Sequence, residues 1–546
     1  MKCIKKWSAI LMLQVLVVGS LAGCGTKVPT TGSDSGDKQV ASGKEEANKD
    51  ESHKKSDKPM EITIAHWDVE GGLAGGENDK VLKTIEDKFN VKFKPMNVTW
   101  DDYVQKIQLW AASGTLPDIF SIDAIGTSYY NDWTSQGVLK ALPEDLSAYP
   151  NLEEYLNVDD IQTLKIDNQL YCVPRKTYPD SYWNAVDRVV LYRWDLAQEA
   201  GVTKEPETWE EFMDMMQKII VADPEGKNVG GLTATVPTLL DGFLFTYSLP
   251  AAMSDGSGSD YKWVEKDGQY VPAYFAGDAL ATFELAREMY TKGVIEKDIA
   301  ITKVQQGQDK FLQGQSAALL QAGGFTSSYA NVAKHWEEVY PGENFLEDVK
   351  MLNLFPAKDG NTYFPVFRTA WSESYISSSV DDTKMTKILE IYDFLISEEG
   401  VRLINYGFEG EDYDVVAGKL VMKDVDAFQG KYDFMKSLNS LVAWTPSVWN
   451  DTFPSVHPEG YREQDMKRYN DAKTIGTMPE FDMRYTYLST PLKSKFVIKP
   501  VDDLVNIMMG SEPVDVMYEK LLKDYEAKGL SAMIKEVNET AKTLGY

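Results

Sequence analysis

EITIAHW (61–67), NDKVLKTIEDKF (78–89), VKFK (91–94) and PDIFSID (117–123) follow one another where the chain first becomes regularly patterned, and their order decides the fold. The first is a short strand that runs into a glycine-rich turn through Gly71, Gly72, Gly75 and Gly76. Val81, Leu82, Ile85 and Phe89 then recur at the spacing of one helix face, and Val91 and Phe93 alternate with Lys92 and Lys94 as in a second strand. Thr99 and Asp102 have the spacing of a reciprocal N-terminal cap for a helix carrying Tyr103, Val104, Ile107 and Trp110, with Gly114 as its stop. Residues 117–123 form the third strand. Strands alternating with helices imply a parallel sheet with helices on its faces. Ligands of such sheets sit beyond the carboxyl ends of the strands. That rule selects Trp67, Asp68 and Glu70 after the first strand, and Asp123 after the third.

On the N-terminal side, residues 25–59 hold no aromatic and almost no aliphatic side chain. Such a composition cannot bury enough apolar surface to offset the entropy of ordering. As a random coil, roughly 35 residues average about 30–35 Å end to end. Before this tether come Lys2, Lys5 and Lys6, then an apolar run from Trp7 to Val18 broken only by Ser8 and Gln14. The run falls short of the ~20 apolar residues of a membrane-spanning helix and reads as a cleavable export signal. It ends in Leu21-Ala22-Gly23-Cys24, which resembles the lipobox of bacterial lipoproteins. The resemblance implies cleavage before Cys24, acylation of that cysteine, and a lipid anchor on the outer face of the cell membrane. The expected division here is a signal over 1–23 and a lipidated tether over 24–59.

From residue 60 onward the chain is long enough for two or three domains. With 43% hydrophobic and 12% aromatic residues it can build a large core. A formal charge of −28 argues against nucleic acid or an anionic surface as partner, since both need clustered Lys and Arg. It also disfavours a strongly anionic ligand unless local arginines override the field. With Cys3 lost in the signal and Cys24 acylated, Cys172 is the remaining thiol, so no internal disulfide and no cysteine-based metal site is expected. Enzyme signatures are absent. There is no Gly-x-Ser-x-Gly elbow and no phosphate loop, and the four histidines are scattered. Acidic pairs among 84 carboxylates are too common to signal a glycosidase by themselves.

Further along, Thr208 and Glu211 cap a helix whose Phe212, Met215, Met216 and Ile219 share one face; the methionines are a core stripe. Residues 255–260 form a Ser/Gly-rich loop, and residues 261–272 read as a short antiparallel piece. Residues 278–293, 384–404, 504–509 and 516–525 read as helices. The order of these parts resembles the extracellular solute-binding proteins of the maltose-binding type, which deliver sugars to ABC importers. The resemblance rests on the three-strand opening with GTLPDIFSID and GVLKAL, then on IDNQLYCVP, VVLYRWDLAQEAGVTKEPETWEEFMDMMQKI and FLQGQSAALLQAGG. EEGVRLINYGFEGEDYDV resembles a segment of the large, lipid-anchored oligosaccharide-binding branch. It covers most of residues 60–410 and is weaker beyond about 420.

The resemblance implies an α/β, two-lobed fold, each lobe a mainly parallel sheet flanked by helices, joined by several crossovers that act as a hinge. It places 60–176 plus 374–420 in one lobe and 177–373 plus 421–546 in the other. Crossovers fall near 174–190, near 355–375 and within 408–430. The implied role is a non-catalytic, monomeric receptor, without cofactor, that closes on an oligosaccharide and presents it to permease subunits of an ABC transporter. A peptide or other small-solute receptor, and less readily a surface glycoside hydrolase or lyase, remain as alternatives. Sugar recognition needs aromatic faces and charge-assisted hydrogen bonds. The aromatic candidates are Trp67, Tyr178, Trp183, Phe325, Trp371, Trp444 and Trp449; the polar ones are Asp123, Arg368, Glu373 and Glu409. Related lipoproteins carry a calcium loop after the helix equivalent to 208–220. Here Asp223-Pro224-Glu225-Gly226-Lys227-Asn228 lacks the later ligands and adds a positive charge, so no metal is expected.

Overall fold

The computed structural model describes residues 58–546, apart from 126, 158, 163, 177, 179, 253–261, 368–369 and 443–456. The export signal, Cys24 and nearly all of the tether lie outside the described residues, as do Arg368, Trp444 and Trp449. The chain lays down β1 (Met60–Ala65), β2 (Val91–Pro95), β3 (Ile119–Ile122) and β4 (Cys172–Lys176) in a first sheet. It then crosses to a second sheet for β5 (Arg188–Arg193) and β6 (Gly230–Thr233). The hairpin β7–β8 (Trp263–Lys266 and Gln269–Pro272) follows, then β9 (Ser316–Ala322) and β10 (Val349–Met351), before β11 (Ala370–Ile376) returns to the first sheet. A second hairpin, β12–β13 (Tyr413–Val416 and Lys419–Met422), comes last.

The sheet orders are β2-β1-β3-β11-β4 and β10-β5-β9-β6. β1 is parallel to both its neighbours, and β6 is parallel to β9. β11 and β5 run antiparallel to the strands beside them. These two are the strands that arrive from the other sheet. A strand delivered by a local βαβ unit is held to the parallel sense, whereas one entering from another lobe is not. Each sheet is therefore mainly one-directional with a single reversed member.

Local signals place the helices. Asp79 accepts from Val81 N and Leu82 N at 2.9 and 3.0 Å to start Lys80–Phe89, and Asn90 ends it in the left-handed conformation. Thr208 Oγ1 accepts from Glu211 N to start Trp209–Ala222, which buries Phe212, Met215, Met216 and Ile219. At Tyr103–Ser113 only half of the expected reciprocal cap forms: Thr99 N donates to Asp102 Oδ1 at 2.7 Å, and no side-chain bond caps the helix itself.

The first core joins Ile62, Ile64, Phe120 and Ile122 of the sheet to Ile388 and Tyr392 of helix Asp382–Ile396. The second gathers Tyr192, Phe212, Met216, Leu232 and Phe283 with Leu504, Ile507 and Tyr525 near the C-terminus. One expected boundary is corrected. The resemblance places residues 421–442 in the second lobe, but Tyr432, Phe434, Leu438, Leu441 and Val442 pack in the core of the first sheet. Helix Phe434–Leu441 carries an apolar face packed on β3 and β11, so the third passage comes after it and not within 408–430. Helix Tyr461–Ile475 then belongs with the second sheet. Its Asp465, fully buried, accepts from Phe325 N, Thr326 N and Thr326 Oγ1 at 2.7, 3.1 and 2.5 Å, and burial pushes its carboxyl up to about 6.

Candidate functional site

Four aromatic rings meet at the carboxyl end of the first sheet. Trp67 follows β1, Trp371 lies at the start of β11, and Trp100 and Tyr103 flank the N-terminus of helix Tyr103–Ser113. The Trp67 and Trp371 centroids are 5.0 Å apart with 34° between planes. Trp100 sits 6.0 Å from Trp67 and 5.9 Å from Trp371, and Tyr103 lies 6.0 Å from Trp67 and 5.6 Å from Trp100. Trp67 and Trp371 are half-buried, while Trp100 is 57% exposed. Three indole rings sharing one wet edge of a sheet offer apolar faces to a ligand with C–H faces of its own. Asp68 and Glu70 are exposed beside them and add acceptors for hydroxyl groups.

Buried polar groups hold this edge in place. Arg175, 3% exposed, puts its guanidinium carbon 5.1 Å from the Trp67 ring and 5.0 Å from the Trp371 ring. Its Nε donates to the Trp371 carbonyl at 2.8 Å and its Nη1 to the Asn439 carbonyl at 3.1 Å. Burial lowers its pKa to about 9, against the pull of Tyr155, Glu373 and Tyr178. His66, fully buried, accepts at Nδ1 from Asp68 N, which leaves Nε2 to donate to Ser437 Oγ at 2.9 Å. Burial first, and then the Arg175 charge, lower the imidazole to about 3, so it is neutral at physiological pH.

The other expected site residues separate clearly. Glu373 is buried; its Oε2 accepts from Ala124 N and Tyr375 Oη, both at 3.0 Å, and so secures the turn after β3 rather than facing a ligand. Asp123 is half-buried at the end of that strand. Trp183 is buried and stacked on Tyr469 at 4.3 Å, and Phe325 packs with Phe345 and Tyr461, so both serve as packing groups. Tyr178 donates its hydroxyl to Asp187 on the first crossover. Glu409 is exposed ahead of β12, in a segment stapled by its neighbours: Glu411 takes Lys80 and Lys431, and Asp412 takes Phe408 N and Tyr432 Oη. Trp100 and Arg175 are not among the residues the sequence selects, and Tyr103 is read there only as a residue of its helix. The strand-end rule would have reached Trp100, which follows β2 as Trp67 follows β1. Arg175, inside a strand, carries no such signal.

The loop after helix Trp209–Ala222 is filled by the chain's own groups. Asp223 accepts from the backbone N–H of Lys227, Asn228 and Val229, each at 3.1 Å, and Glu225 is held by Lys227 Nζ at 2.6 Å and Arg193 Nη2 at 2.7 Å. Two fixed cations occupy the carboxylate a metal would need, and the residues do not suit calcium. No group of three His, Cys, Asp or Glu side chains among the described residues is placed to hold a metal.

The chain matches the family of bacterial extracellular solute-binding proteins over residues 80–403, more than half its length. It belongs to that family. Its fold is the two-lobed one of solved solute-binding proteins. It superposes on the alginate-binding protein AlgQ2 with a TM-score of 0.65 at 17% identity, over 89% of this chain and 98% of that one. It superposes on the substrate-binding protein FusA of S. pneumoniae, solved with kestose, with a TM-score of 0.64 at 16% identity, over 89% and 99%. Among curated relatives, the polygalacturonan/rhamnogalacturonan-binding protein YtcQ of Bacillus subtilis is 22% identical over 98% of this chain and 99% of its own. The diacetylchitobiose-binding protein DasA of Streptomyces coelicolor is 23% identical over 48% of this chain and 55% of its own. The family and these relatives are binding proteins, so this solute-binding protein is a receptor and not an enzyme.

Proposed function

We propose that this solute-binding protein captures an oligosaccharide on the Trp67–Trp100–Trp371 edge and delivers it to the permease of an ABC importer. The observation that carries the reading is the meeting of three indole rings, one mostly exposed, at the strand ends where an α/β sheet takes its ligands. The names of YtcQ and DasA, both receptors for carbohydrates, support a sugar as cargo. The lobes are 60–176 with 370–442, and 188–351 with 461–546. Ligand contacts made to both lobes at once drive them together, because only differential contacts shift such an equilibrium. The mature chain acts as a monomer at the outer face of the cell membrane, tethered through acylated Cys24.

The test is a melting-temperature screen of residues 59–546 against plant, host and bacterial oligosaccharides. A ligand at a hundredfold excess over its Kd adds about 2.7 kcal/mol to the folded state. A shift with one glycan class, the glycan recovered intact, is the expected outcome. No shift with any sugar, together with one from peptides, would overturn the carbohydrate assignment.

A further inference from the structure

Helix Phe434–Leu441 ends against the first sheet, and the last carbonyls of any helix lack partners within it. Here three side chains from elsewhere supply them. Arg175 Nη1 donates to Asn439 O at 3.1 Å, Ser121 Oγ to Ser440 O at 3.0 Å, and Tyr155 Oη to Val442 O at 3.1 Å. The guanidinium is also the favoured charge at the negative end of a helix dipole. Tyr155 Oη also lies 2.8 Å from Pro174 O and accepts from Lys176 N at 2.8 Å, so the end of β4 is joined to the same place.

These contacts sit at the roots of the passages between the sheets. Arg175 is next to last in β4, after which the chain leaves for β5. Trp371, whose carbonyl takes Arg175 Nε, is the second residue of β11, where the chain comes back. Asn439 is in the last turn of helix Phe434–Leu441, after which the chain goes over to helix Tyr461–Ile475. One buried side chain therefore grips the roots of all three passages, and the same planar group lies against two rings of the aromatic edge.

We propose that Arg175 is a positioning residue: it fixes the tilt of Trp67 and Trp371 and links the seating of a ligand on them to the relative placement of the lobes. The inference rests on the reading of the ring edge as the cargo platform. Only arginine has the geometry, since a planar fork can donate from two nitrogens while its face lies on an aromatic ring. Lysine keeps the charge and loses both properties.

The experiment compares the wild type, Arg175→Lys and Trp371→Ala, using the glycan found in the melting screen. Arg175→Lys is expected to keep a cooperative melt and its far-UV spectrum. It should alter the near-UV tryptophan circular dichroism of the ligand-free protein and raise Kd tenfold or more. It should also shrink the ligand-induced fall in radius of gyration measured by X-ray scattering. A purely structural role would lower the melting temperature but leave the tryptophan spectrum and the compaction unchanged, and that result overturns the proposal. If Trp371→Ala binds as the wild type does, the platform reading fails instead; if Trp371→Ala weakens binding and Arg175→Lys does not, only the positioning role falls. Should Arg175→Lys not fold, Tyr155→Phe loosens the same junction without touching the rings. It should keep the tryptophan spectrum and lose several-fold in affinity and part of the compaction; wild-type affinity and compaction there would overturn the link to the lobes.

Discussion

Asp465 offers a pH signature whose sign is opposite to that of an ordinary carboxylate. Burial raises its carboxyl from 3.8 to about 6 in the folded protein, even though Phe325 N, Thr326 N and Thr326 Oγ1 all donate to it. Between those two values the folded state holds a proton that the unfolded state has released. The stabilisation is therefore complete below the unfolded pKa and is lost as pH rises through the folded one. At 1.36 kcal/mol per unit, the gap of about two units amounts to about 3 kcal/mol over the full window, of which about 1 kcal/mol falls between pH 5 and 7. Asp465→Asn abolishes this term. It keeps an acceptor for Phe325 N but turns an amide donor toward Thr326 N, at a cost of about 1–3 kcal/mol. Urea unfolding of both proteins at pH 5, 6 and 7 and fixed ionic strength isolates the effect, because other titrating groups cancel in the difference. The wild type should lead the variant by about 1 kcal/mol more at pH 5 than at pH 7. An equal lead at both pH values, or a larger one at pH 7, would refute the argument.

Trp100→Ala and Trp371→Ala should each weaken glycan binding at least tenfold, since buried aromatic anchors dominate binding energy at about 2 kcal/mol or more. Trp100→Ala should leave the melting temperature nearly untouched because that ring is mostly in solvent; isothermal titration together with a melt separates the two effects, and unchanged affinity in both variants would remove the platform. Millimolar calcium followed by a chelator should not move the melting temperature, because Arg193 and Lys227 already neutralise Glu225; a chelator-reversible rise of several degrees that disappears in Asp223→Ala would show that the loop takes the ion after all.

Several helix boundaries could be read from local chemistry. Thr208 and Gly114 act over three or four residues, so the cap and the stop are visible in the chain itself. The strand-end rule selects Trp67, the implied crossover near 355–375 points to Trp371, and the structure brings the two rings together. What could not be read is set by partners far away in sequence. Phe325 and Trp183 look like ligand platforms until Phe345, Tyr461 and Tyr469 cover them. Glu373 looks like a cleft carboxylate until the turn after β3 donates to it. The amphipathic helix Phe434–Leu441 fits either lobe by pattern alone; distant partners tie it to the first, among them Asp79, accepting from Phe434 N at 2.8 Å, His66, bonded to Ser437, and Ser121, donating to Ser440 O. Arg175 was hidden for the same reason: three of its partners come from two segments some two hundred residues or more downstream and one about a hundred upstream.

The insertion of β11 between β3 and β4 has a consequence for synthesis and export. Until residue 376 has been made, β3 lacks its neighbour on one side and β4 lacks a sheet to join. Nearly two hundred residues, including most of the other lobe, must emerge before that gap can be filled. Contacts so distant close slowly, which keeps a nascent chain open for longer than a lobe made of one continuous segment. If the chain is exported unfolded, as the proposed function has it, that delay helps, because such translocation needs a polypeptide that has not yet locked its first sheet.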